Sequence, residues 1–371
     1  MKLEPLYEKA LGSENLTTDQ AEELYTRAPL GKLAAVAHQL RIEAAPAETV
    51  TWQIDRNVNI TNACVSGCKF CNFHCKPSEK EKIFITTIEE YSRKIEETLA
   101  LGGDQLLLQG GLHPGLDIDY YETLFRELKS RFPQVKLHAL GPPEIFHIAR
   151  IGKISIEETL RRLVAAGLDS LPGAGAEILD TEVRRRISPG KCTAEQWLDV
   201  MRTAHRMNLA TSATMMYGHV ETPRQRIEHL LRIRDLQAER PAGHHGFIAF
   251  IPWIFRGAGS RLESEGPISK YSPLDYLRLI AISRIVLHNI ANIQASWLTV
   301  GKETALIALH CGANDMGSIM IEENVVRSGG ARHRFDARGI RQAIREAGFS
   351  PELRDQLYRR REWNEKQPIG I

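Results

Sequence analysis

Short apolar runs alternate with amphipathic segments of helical periodicity from about residue 51 onward. Polar or glycine-rich residues bound each run, which is typical of buried strands in a parallel sheet. The helical segments between the runs are long enough to serve as crossover connections, so the pattern predicts repeated β-α units. The predicted strands cover residues 58–63, 105–109, 136–140, 170–172, 211–217, 247–252 and 292–297.

Helix-start signals support this division of the chain. A hydroxyl residue followed three positions later by Gln or Glu, the capping-box pattern, occurs at Thr17, Thr87, Ser155 and Thr193. Thr222 and Ser272 each precede a proline, which is favoured in the first helical turn. Residues 1 to about 48 are helical in pattern, and the charged tail from about residue 332 predicts two more helices, over 340–347 and 351–361.

Open doubly wound sheets and closed barrels both produce such a repeat, and both belong to the α/β class. Here the polar and glycine-rich residues follow the strands, as they do in a barrel whose active site lies at the carboxyl ends of its strands. We expect a helical N-terminal extension over residues 1–50 and a barrel core over 51–300. A C-terminal region over 301–371 is expected to close the barrel and to end in a helical tail.

Composition excludes some function classes. The 48 basic and 46 acidic residues give a formal net charge of +2, which provides no electrostatic surface for nucleic acid or for an anionic membrane. No apolar run approaches the roughly 20 residues of a membrane span, and the most apolar stretch, residues 246–255, is predicted to be a buried strand. We therefore expect a cytoplasmic protein that binds no nucleic acid and has no membrane span.

Three cysteines stand on one predicted loop directly after the first strand, with the spacing C-x3-C-x2-C. Cys64, Cys68 and Cys71 can bind three irons of a [4Fe–4S] cluster and leave the fourth iron open for a substrate or cosubstrate. Zinc is the alternative, since Cys75 and His74 would complete a compact ligand set. Disulfides fit less well because the cysteines are clustered and the N-terminus carries no secretory signal.

Polar residues at later strand ends are candidates for contacts with a ligand. Gly110 and Gly111 follow the second strand, where paired glycines permit positive φ and close approach of the backbone. Glu177 follows the fourth strand and can accept hydrogen bonds from a ribose diol or an amino group, although a helix N-terminus favours a carboxylate for structural reasons too. His219, after the fifth strand, is either a proton-transfer group or a structural buried histidine.

Several segments together resemble one group of radical S-adenosylmethionine (SAM) enzymes. They are the cysteine loop, with Phe70 before its third cysteine, and residues 110–114, 170–177, 187–191 and 213–222. The group contains the menaquinone enzymes of the futalosine pathway and the two halves of deazaflavin (FO) synthase. The closest resemblance is to the dehypoxanthine futalosine cyclases, through residues 250–253, 292–297 and 312–324. The sequence departs from the pattern of the group at residues 72–75, just after the cysteine motif.

The resemblance implies a radical SAM (β/α) barrel, partial or complete and TIM-like, with helical N- and C-terminal extensions. It implies a [4Fe–4S] cluster on the three cysteines, and SAM contacts from Phe70, Gly110, Gly111 and Glu177. In such enzymes SAM is cleaved to a 5′-deoxyadenosyl radical, which here would take the ribose C4′ hydrogen of dehypoxanthine futalosine and lead to ring closure on its benzoate. A reducing electron donor such as flavodoxin or ferredoxin is implied as a partner of the enzyme.

The resemblance also implies a base near the benzoate ring, which would assist the return to aromaticity. His113, His138 and His219 are the candidates. The basic run over residues 184–191 is typical of a solvated helix face, and the alternative is that one member, Arg186 or Lys191, meets a carboxylate of the substrate or of SAM. Within the group, aminofutalosine synthase and either FO synthase half are alternatives that share the cluster and SAM residues. Outside the group, the alternative is a zinc-stabilised (β/α) hydrolase or binding protein.

Overall fold

The structure is a computed structural model that describes residues 2–266, 268, 271–330 and 333–363. The strands in these residues are β1 (Thr49–Gln53), β2 (Asp55–Asn59), β3 (Gln105–Gln109), β4 (Lys136–Ala139), β5 (Ser170–Leu171), β6 (Ala210–Tyr217), β7 (Phe247–Ile254), β8 (Asn292–Ile293), β9 (Asp315–Ser318) and β10 (Ser350–Leu353). The helices are α1 (Glu4–Leu11), α2 (Thr18–Arg27), α3 (Leu30–Ala44), α4 (Ile88–Ala100), α5 (Ile118–Arg131), α6 (Pro142–Gly152), α7 (Ile156–Ala166), α8 (Thr181–Ile187), α9 (Ala194–Arg206), α10 (Pro223–Glu239), α11 (Arg261–Ser264), α12 (Pro273–Val286), α13 (Trp297–Val300), α14 (Lys302–Leu309), α15 (Val325–Ser328) and α16 (Ala337–Glu346), with a 3₁₀ turn at Lys80–Lys82. Within the described residues, no helix combines the length and the apolar character needed to cross a membrane.

The strands form a closed ring. β2 to β8 make a parallel sheet in sequence order. Beyond β8, Gln294 and Asp315 form a parallel bridge, and the Ala295 N–H donates to the Asp315 carbonyl at 2.8 Å, which joins β8 to β9. β9 pairs with β1, and β1 runs directly into β2. The expected (β/α) barrel is therefore confirmed, and its ring is complete.

Alternation along the strands sorts residues between the core and the lumen. Outward-pointing residues such as Val58, Leu106 and Leu108 are fully buried beneath the surrounding helices. The alternate positions Asn57 and Asn59 point inward and line a cavity. The apolar residues of these strands thus hold the helices against the barrel, while the polar ones face the interior of the ring.

The N-terminal helices pack on the outside of the barrel near the point of closure. α3 lies against α12, and α2 lies against α10 and α12. Arg41 of α3 is fully buried, and its guanidinium donates to the carbonyls of Ala47 at 2.9 Å, Thr49 at 2.9 Å and Ala313 at 3.0 Å. These bonds fasten the extension both to the start of β1 and to the segment that leads into β9.

The C-terminal tail forms the floor of the barrel. β10 pairs in parallel with β1, on the side opposite to β9. Beyond β10, the buried Arg354 forms an ion pair with Asp315. Gln356 then accepts a hydrogen bond from the Gln105 amide, at the start of β3, at 3.0 Å. The amino-terminal end of the barrel is therefore closed by residues that follow the last strand.

The helix predicted over residues 351–361 is wrong. Ser350 and Pro351 resemble a helix start, but the Ser350 N–H donates to the Glu48 carbonyl at 2.8 Å and the Arg354 N–H donates to the Trp52 carbonyl at 2.9 Å. The open edge of β1 satisfies this backbone, and strand pairing overrides the local signal. The other predicted tail helix is confirmed as α16, whereas the sequence pattern did not reveal the short strands β1, β9 and β10.

Candidate active site

The cysteine loop begins where β2 ends and is fixed to the loop that follows β3. The Gly111 N–H donates to the Thr61 carbonyl at 2.8 Å. A Cβ atom on Gly111 would lie 2.2 Å from the Ala63 carbonyl oxygen, so no residue with a side chain fits at this contact. Glycine at position 111 therefore allows the loop after β3 to approach the cysteine loop closely. Neither Gly110 nor Gly111 adopts a positive φ, which glycine would allow.

The three predicted cluster cysteines open on the cavity at the carboxyl end of the barrel. Cys64 and Cys68 are buried and Cys71 is half-buried. The Ser66 hydroxyl lies 2.9 Å from the Cys64 Sγ and 3.3 Å from the Cys68 Sγ, so it connects two of the thiols. Burial raises the pKa of Cys68 to about 11, while the Lys191 charge and the Ser66 hydrogen bond favour the thiolate.

These thiols suit an iron–sulfur cluster better than a single metal ion. A cuboidal cluster binds each thiolate through a separate iron, so the sulfur atoms do not have to converge on one point. In the described part of the chain, no three His, Cys, Asp or Glu side chains converge as ligands of one metal ion. The Cys75 Sγ faces the carbonyls of Lys76 and Glu79, each at 3.6 Å, and lies outside the cavity lining. The four-cysteine zinc set is therefore not assembled, and the donor set fits a [4Fe–4S] cluster with one open iron.

A second segment, residues 187–191, packs against the cysteine loop. The Gly190 N–H donates to the Ser66 carbonyl at 3.1 Å, and the Lys69 N–H donates to the Ile187 carbonyl at 2.8 Å. A Cβ atom on Gly190 would lie 2.5 Å from the Ser66 carbonyl oxygen, so this approach also requires glycine. The contact brings Lys191 to the cavity wall.

Glu177 and Lys191 form a buried ion pair in that wall. The Lys191 Nζ lies 2.6 Å from the Glu177 Oε1 and 5.1 Å from the centre of the Phe70 ring. Burial lowers the pKa of Lys191, but the charges of Cys68 and Glu177 outweigh it, and the net shift is upward. Arg186, the other predicted partner for a carboxylate, is exposed to solvent. The pair offers one anion and one cation to a ligand that carries both an amino group and a carboxylate.

Glu144 is a cavity residue that the sequence analysis did not single out. Its carboxylate accepts the Gly110 N–H at 2.9 Å and the Gly141 N–H at 2.7 Å, which joins the loops after β3 and β4. Burial raises its pKa to about 7 against the effect of these two bonds. Its signal was weak, because a Glu three residues after a helix N-cap is a common structural pattern.

Of the three predicted bases, His138 is the one that lines the cavity. It is buried on β4, with its Nδ1 2.7 Å from the Ser170 hydroxyl and its Nε2 3.3 Å from the Gln356 amide nitrogen. Burial lowers its pKa to about 3, so the ring is neutral near pH 7. Because an amide nitrogen can only donate, the Nε2 accepts from Gln356 and the Nδ1 carries its hydrogen towards Ser170, so the Nε2 takes up a proton when the contact with the Gln356 side chain is given up.

His113 and His219 lie outside the cavity lining. The His113 Nδ1 accepts the Gly115 N–H at 3.0 Å. The His219 ring is buried, with its Nε2 3.0 Å from the Met216 carbonyl and its Nδ1 accepting the Val220 N–H at 2.8 Å. Because the backbone occupies both nitrogens of His219, the geometry favours the structural role that its sequence left open.

The whole cavity, which the cysteine loop and the Glu177–Lys191 pair also line, has a volume of about 350 Å³, and its lower part has two contrasting walls. The polar wall, from β2 and β3, contains Asp55, Asn57, Asn59, Gln105 and Gln109, with Leu107 as its one apolar position. The apolar wall, from β7, consists of Ala249, Ile251 and Trp253. In the ring of eight strands β7 is four strands from β3, so the two walls face each other. This volume and mixed lining are typical of a small-molecule site.

The polar wall was missed because its alternation is hidden in the sequence. Asn57 and Asn59 alternate with residues that face outward, but the first of those in β2, Arg56, is itself polar. Arg56 is buried outside the ring, where it forms ion pairs with Glu97 at 2.5 Å and with Glu322 at 3.0 Å. A run of polar residues therefore concealed a strand with an inner and an outer face.

Comparison with known proteins agrees with this geometry. The family model of the radical SAM superfamily matches residues 58–233, and the model of the CofH/MqnC C-terminal region matches residues 244–367. The cyclic dehypoxanthine futalosine synthase of Streptomyces coelicolor is 43% identical over 358 residues, which cover 96% of this chain and 88% of that protein. The protein of the same name from Halalkalibacterium halodurans is 41% identical, with 96% and 95% covered. A 5-amino-6-(D-ribitylamino)uracil–L-tyrosine 4-hydroxyphenyl transferase of Methanosarcina mazei is 37% identical, with 92% and 90% covered.

Solved structures show the same fold. Methylornithine synthase (PylB) superposes with a TM-score of 0.71 at 20% identity, covering 93% of this chain and 97% of that one. HydG, a maturase of the [FeFe]-hydrogenase, superposes with a TM-score of 0.73 at 16% identity, covering 96% and 76%. The chain therefore belongs to the radical SAM superfamily, in the family that comprises the cyclic dehypoxanthine futalosine synthases and these 4-hydroxyphenyl transferases.

Proposed function

We propose that this chain is a radical SAM cyclase of menaquinone biosynthesis that converts dehypoxanthine futalosine into cyclic dehypoxanthine futalosine. The observation that carries the proposal is the identity of 43% and 41% with two synthases of that name over 96% of the chain. The lumen supports it, because the substrate joins a polar sugar to an aromatic ring and the cavity has one polar and one apolar wall.

Cys64, Cys68 and Cys71 hold the cluster and leave one iron for SAM. When bound, the cluster and SAM would supply a 5′-deoxyadenosyl radical, which would take the ribose C4′ hydrogen. The C4′ carbon would then bond to the benzoate ring, and loss of one proton to a base and of one electron to the oxidised cluster would give a product two hydrogens lighter. The closed ring of strands keeps water and other hydrogen donors away from the reacting carbon.

The rim of the barrel binds the methionyl group of SAM. Glu177 pairs with its amino group and Lys191 with its carboxylate. The ion pair between Glu177 and Lys191, at 2.6 Å, is thereby replaced by two ion pairs with SAM. Gly110 and Gly111 present backbone without side chains at the same rim, and Phe70 covers Lys191. These roles follow from the charges and the positions of the groups around the cysteine loop.

His138 accepts the proton that leaves the benzoate ring. Its low pKa keeps the imidazole neutral, and its position on β4 places it in the lumen rather than at the rim. A weak base suffices, because the proton leaves a ring that regains aromaticity. The Ser170 hydroxyl, 2.7 Å from the Nδ1, holds the imidazole in place.

The cluster requires an electron from outside the chain. We propose a flavodoxin or a ferredoxin as the donor and the cytoplasm as the compartment. In the same proposal residues 1–50 form a supporting extension, residues 51–300 the reactive core, and residues 301–371 the closure of the barrel.

The test is an anaerobic assay of the reconstituted protein with dithionite, SAM and dehypoxanthine futalosine, followed by mass spectrometry. A product two hydrogens lighter than the substrate, formed together with 5′-deoxyadenosine, supports the proposal. 5′-Deoxyadenosine without that product shows a radical SAM enzyme with another substrate. A colourless protein that gives neither product contradicts the proposal altogether.

A second candidate is transfer of the tyrosine 4-hydroxyphenyl group to a ribitylaminouracil. The identity of 37% with a Methanosarcina mazei transferase, over 92% of the chain, favours testing it. The same assay with tyrosine and 5-amino-6-(D-ribitylamino)uracil separates the two activities, and an arm with the enolpyruvyl benzoate used by aminofutalosine synthase covers the remaining alternative. Turnover in either arm, with no cyclised nucleoside, would replace the first proposal.

A further inference from the structure

Three amide atoms in the polar wall have no hydrogen-bond partner among the described residues. They are the Asn57 Oδ1, the Asn59 Nδ2 and the Gln105 Oε1. These residues line the cavity and are only 5%, 4% and 2% exposed. A buried polar atom without a partner costs about 1–3 kcal/mol, so such atoms are rare in folded proteins. Three of them on one cavity wall indicate a ligand that completes their bonds.

The orientation of the Asn57 amide is set from behind the wall. Its Nδ2 donates to the Glu323 Oε1 at 3.4 Å. Glu323 acts only as an acceptor there, since its carboxylate also receives the backbone N–H groups of Val326 at 2.7 Å and Arg327 at 3.2 Å. Asn57 therefore turns its carbonyl oxygen, an acceptor, towards the lumen.

The Asn59 amide is set the opposite way. Its Oδ1 accepts a hydrogen bond from the Asn324 Nδ2 at 3.0 Å, and the same nitrogen donates to the Glu322 Oε1 at 3.0 Å. Glu322 is fixed in turn by the Lys94 ammonium at 2.7 Å. Because Asn324 must present its amide nitrogen to Glu322, Asn59 presents its oxygen to Asn324 and its NH₂ group, a donor, to the lumen.

Gln105 adds a second acceptor. Its Nε2 donates to the Asp55 carboxylate at 3.3 Å and to the Gln356 Oε1 at 3.0 Å, which leaves its own Oε1 free. The wall thus offers two acceptors and one donor on neighbouring strands. A carboxylate has no hydrogen to give to the acceptors, and an apolar ring leaves all three atoms unpaired. Groups that both donate and accept satisfy the pattern, and these are water and the hydroxyl groups of a ligand that displaces it.

We infer that this wall binds the ribose hydroxyls of the nucleoside substrate, with Asn59 donating to one hydroxyl and Asn57 accepting from another. The inference rests on the proposed function, because the sugar is that of the proposed substrate. It orients the substrate in the lumen, with the ribose against β2 and the benzoate ring against Trp253 of β7. The ribose then lies beside the strand that leads directly into the cysteine loop. Glu322, Glu323 and Asn324 act as positioning residues, because they orient the Asn57 and Asn59 amides.

The first test measures equilibrium binding of dehypoxanthine futalosine to the cluster-loaded protein, as wild type, Asn57→Ala and Asn59→Ala. Each variant should bind the nucleoside roughly tenfold more weakly, which corresponds to one lost hydrogen bond. The affinity for SAM should stay within about twofold of wild type in both variants, since the wall lies away from the Glu177–Lys191 pair in this assignment. Unchanged nucleoside affinity overturns the inference, and so does a loss confined to SAM affinity.

The second test does not depend on the folding of any variant. The 2′-deoxy and 3′-deoxy analogues of the substrate are bound to the wild-type protein, where at least one should bind roughly tenfold more weakly than the parent. That penalty should disappear in Asn59→Ala or Asn57→Ala, because the partner of the missing hydroxyl is gone. Equal binding of the parent and both analogues to the wild-type protein overturns the inference.

Asn62→Ala is the matched control. Asn62 lines the same cavity, but its Nδ2 donates to the Lys82 carbonyl at 2.9 Å and its Oδ1 accepts the Phe84 N–H at 3.0 Å. Asn62→Ala removes these two structural hydrogen bonds, and the deoxy analogues should still bind more weakly than the parent substrate. Turnover separates the two proposals. If the deoxy analogues bind more weakly but no cyclised product forms, only the proposed function is overturned. If the product forms but all analogues bind equally, only the inference about the ribose is overturned.

Discussion

The rim and the floor of the barrel are assembled in different ways. At the rim, Cys64, Cys68 and Cys71 come from one short loop and are held by contacts with the adjacent loops. At the floor, side chains from β1, β3, β9 and the tail beyond β10 meet only because the ring is closed. The cluster ligands therefore depend on the spacing of residues within one loop, whereas the closed cavity depends on contacts between residues that are far apart in the sequence.

Removal of a rim thiol should have the largest effect. Cys64→Ala, Cys68→Ala and Cys71→Ala should each abolish SAM cleavage, because an iron without its thiolate destabilises the cluster. Cys75→Ala is the matched control and should keep its cluster, since its sulfur faces backbone carbonyls. Iron content, visible absorbance and 5′-deoxyadenosine yield measure the outcome. Lost absorbance in Cys75→Ala would show that the cluster extends beyond the three-cysteine loop.

Replacement of His138, the proposed base, should separate SAM cleavage from formation of the cyclised product. His138→Gln should lower product formation by roughly 10²–10⁴-fold while 5′-deoxyadenosine is still formed, because SAM cleavage takes place at the rim. The measurement is the ratio of cyclised nucleoside to 5′-deoxyadenosine. His113→Gln should leave that ratio near the wild-type value. A lowered ratio in His113→Gln, together with a wild-type ratio in His138→Gln, would assign the base to His113 instead of His138.

Loss of the floor ion pair should act on stability. Arg354→Ala leaves Asp315 buried without its cation and should lower the free energy of unfolding by about 3–5 kcal/mol. Arg359→Ala breaks an exposed pair with Asp355 and should cost less than about 1 kcal/mol. Urea unfolding of the cluster-loaded protein compares them. Equal costs would mean that the floor contributes no more than an ordinary surface contact.

Neutralisation of the rim anion should weaken SAM binding. Glu177→Gln removes the charge that we propose pairs with the methionyl amino group and should raise the SAM dissociation constant roughly tenfold. Lys191→Met should have a similar effect through the carboxylate. Equilibrium binding of SAM to the reconstituted variants is the readout. Affinities within twofold of wild type would leave this ion pair a structural role beside the cysteine loop.

Glu144 at the rim and His229 of helix α10 should change the stability oppositely with pH. Burial holds the pKa of His229 at about 3, so its contribution to stability is complete above the ordinary value of 6.5 and is lost as the pH falls below it. Burial raises the pKa of Glu144 from 4.5 to about 7, so its contribution is complete below pH 4.5 and is lost as the pH rises towards 7. Each group changes stability by at most about 1.4 kcal/mol per pH unit.

The urea midpoints of His229→Gln and Glu144→Gln at pH 5.5 and 7 measure these slopes. The first variant should lose part of the acid sensitivity of the wild type, and the second should gain acid sensitivity. Identical pH dependence in the wild type and both variants would show that neither His229 nor Glu144 has a shifted pKa in solution.

The β-α repeat and the thiol motif were predictable because both are local. β3 matches its predicted limits, and the cysteine loop and Glu177 lie on the cavity as expected. The same locality explains the failures. β10 exists because β1 offers it an edge, and no signal within residues 350–353 distinguishes that strand from a helix start. The polar wall is hidden because Arg56 finds its ion partners outside the ring. The domain limits and the SAM contacts stay predictions.

The position of β1 between β9 and β10 sets the order in which the protein is completed during synthesis. Both neighbours of β1 follow β8 in the chain, so the ring cannot close on β1 until residues 315–318 have been synthesised. The cysteine loop emerges early, on a sheet that is not yet sealed. A chain truncated before β10 would keep its thiols and the ring that β9 completes, but it would lose Arg354 and Gln356 and with them the floor of the barrel.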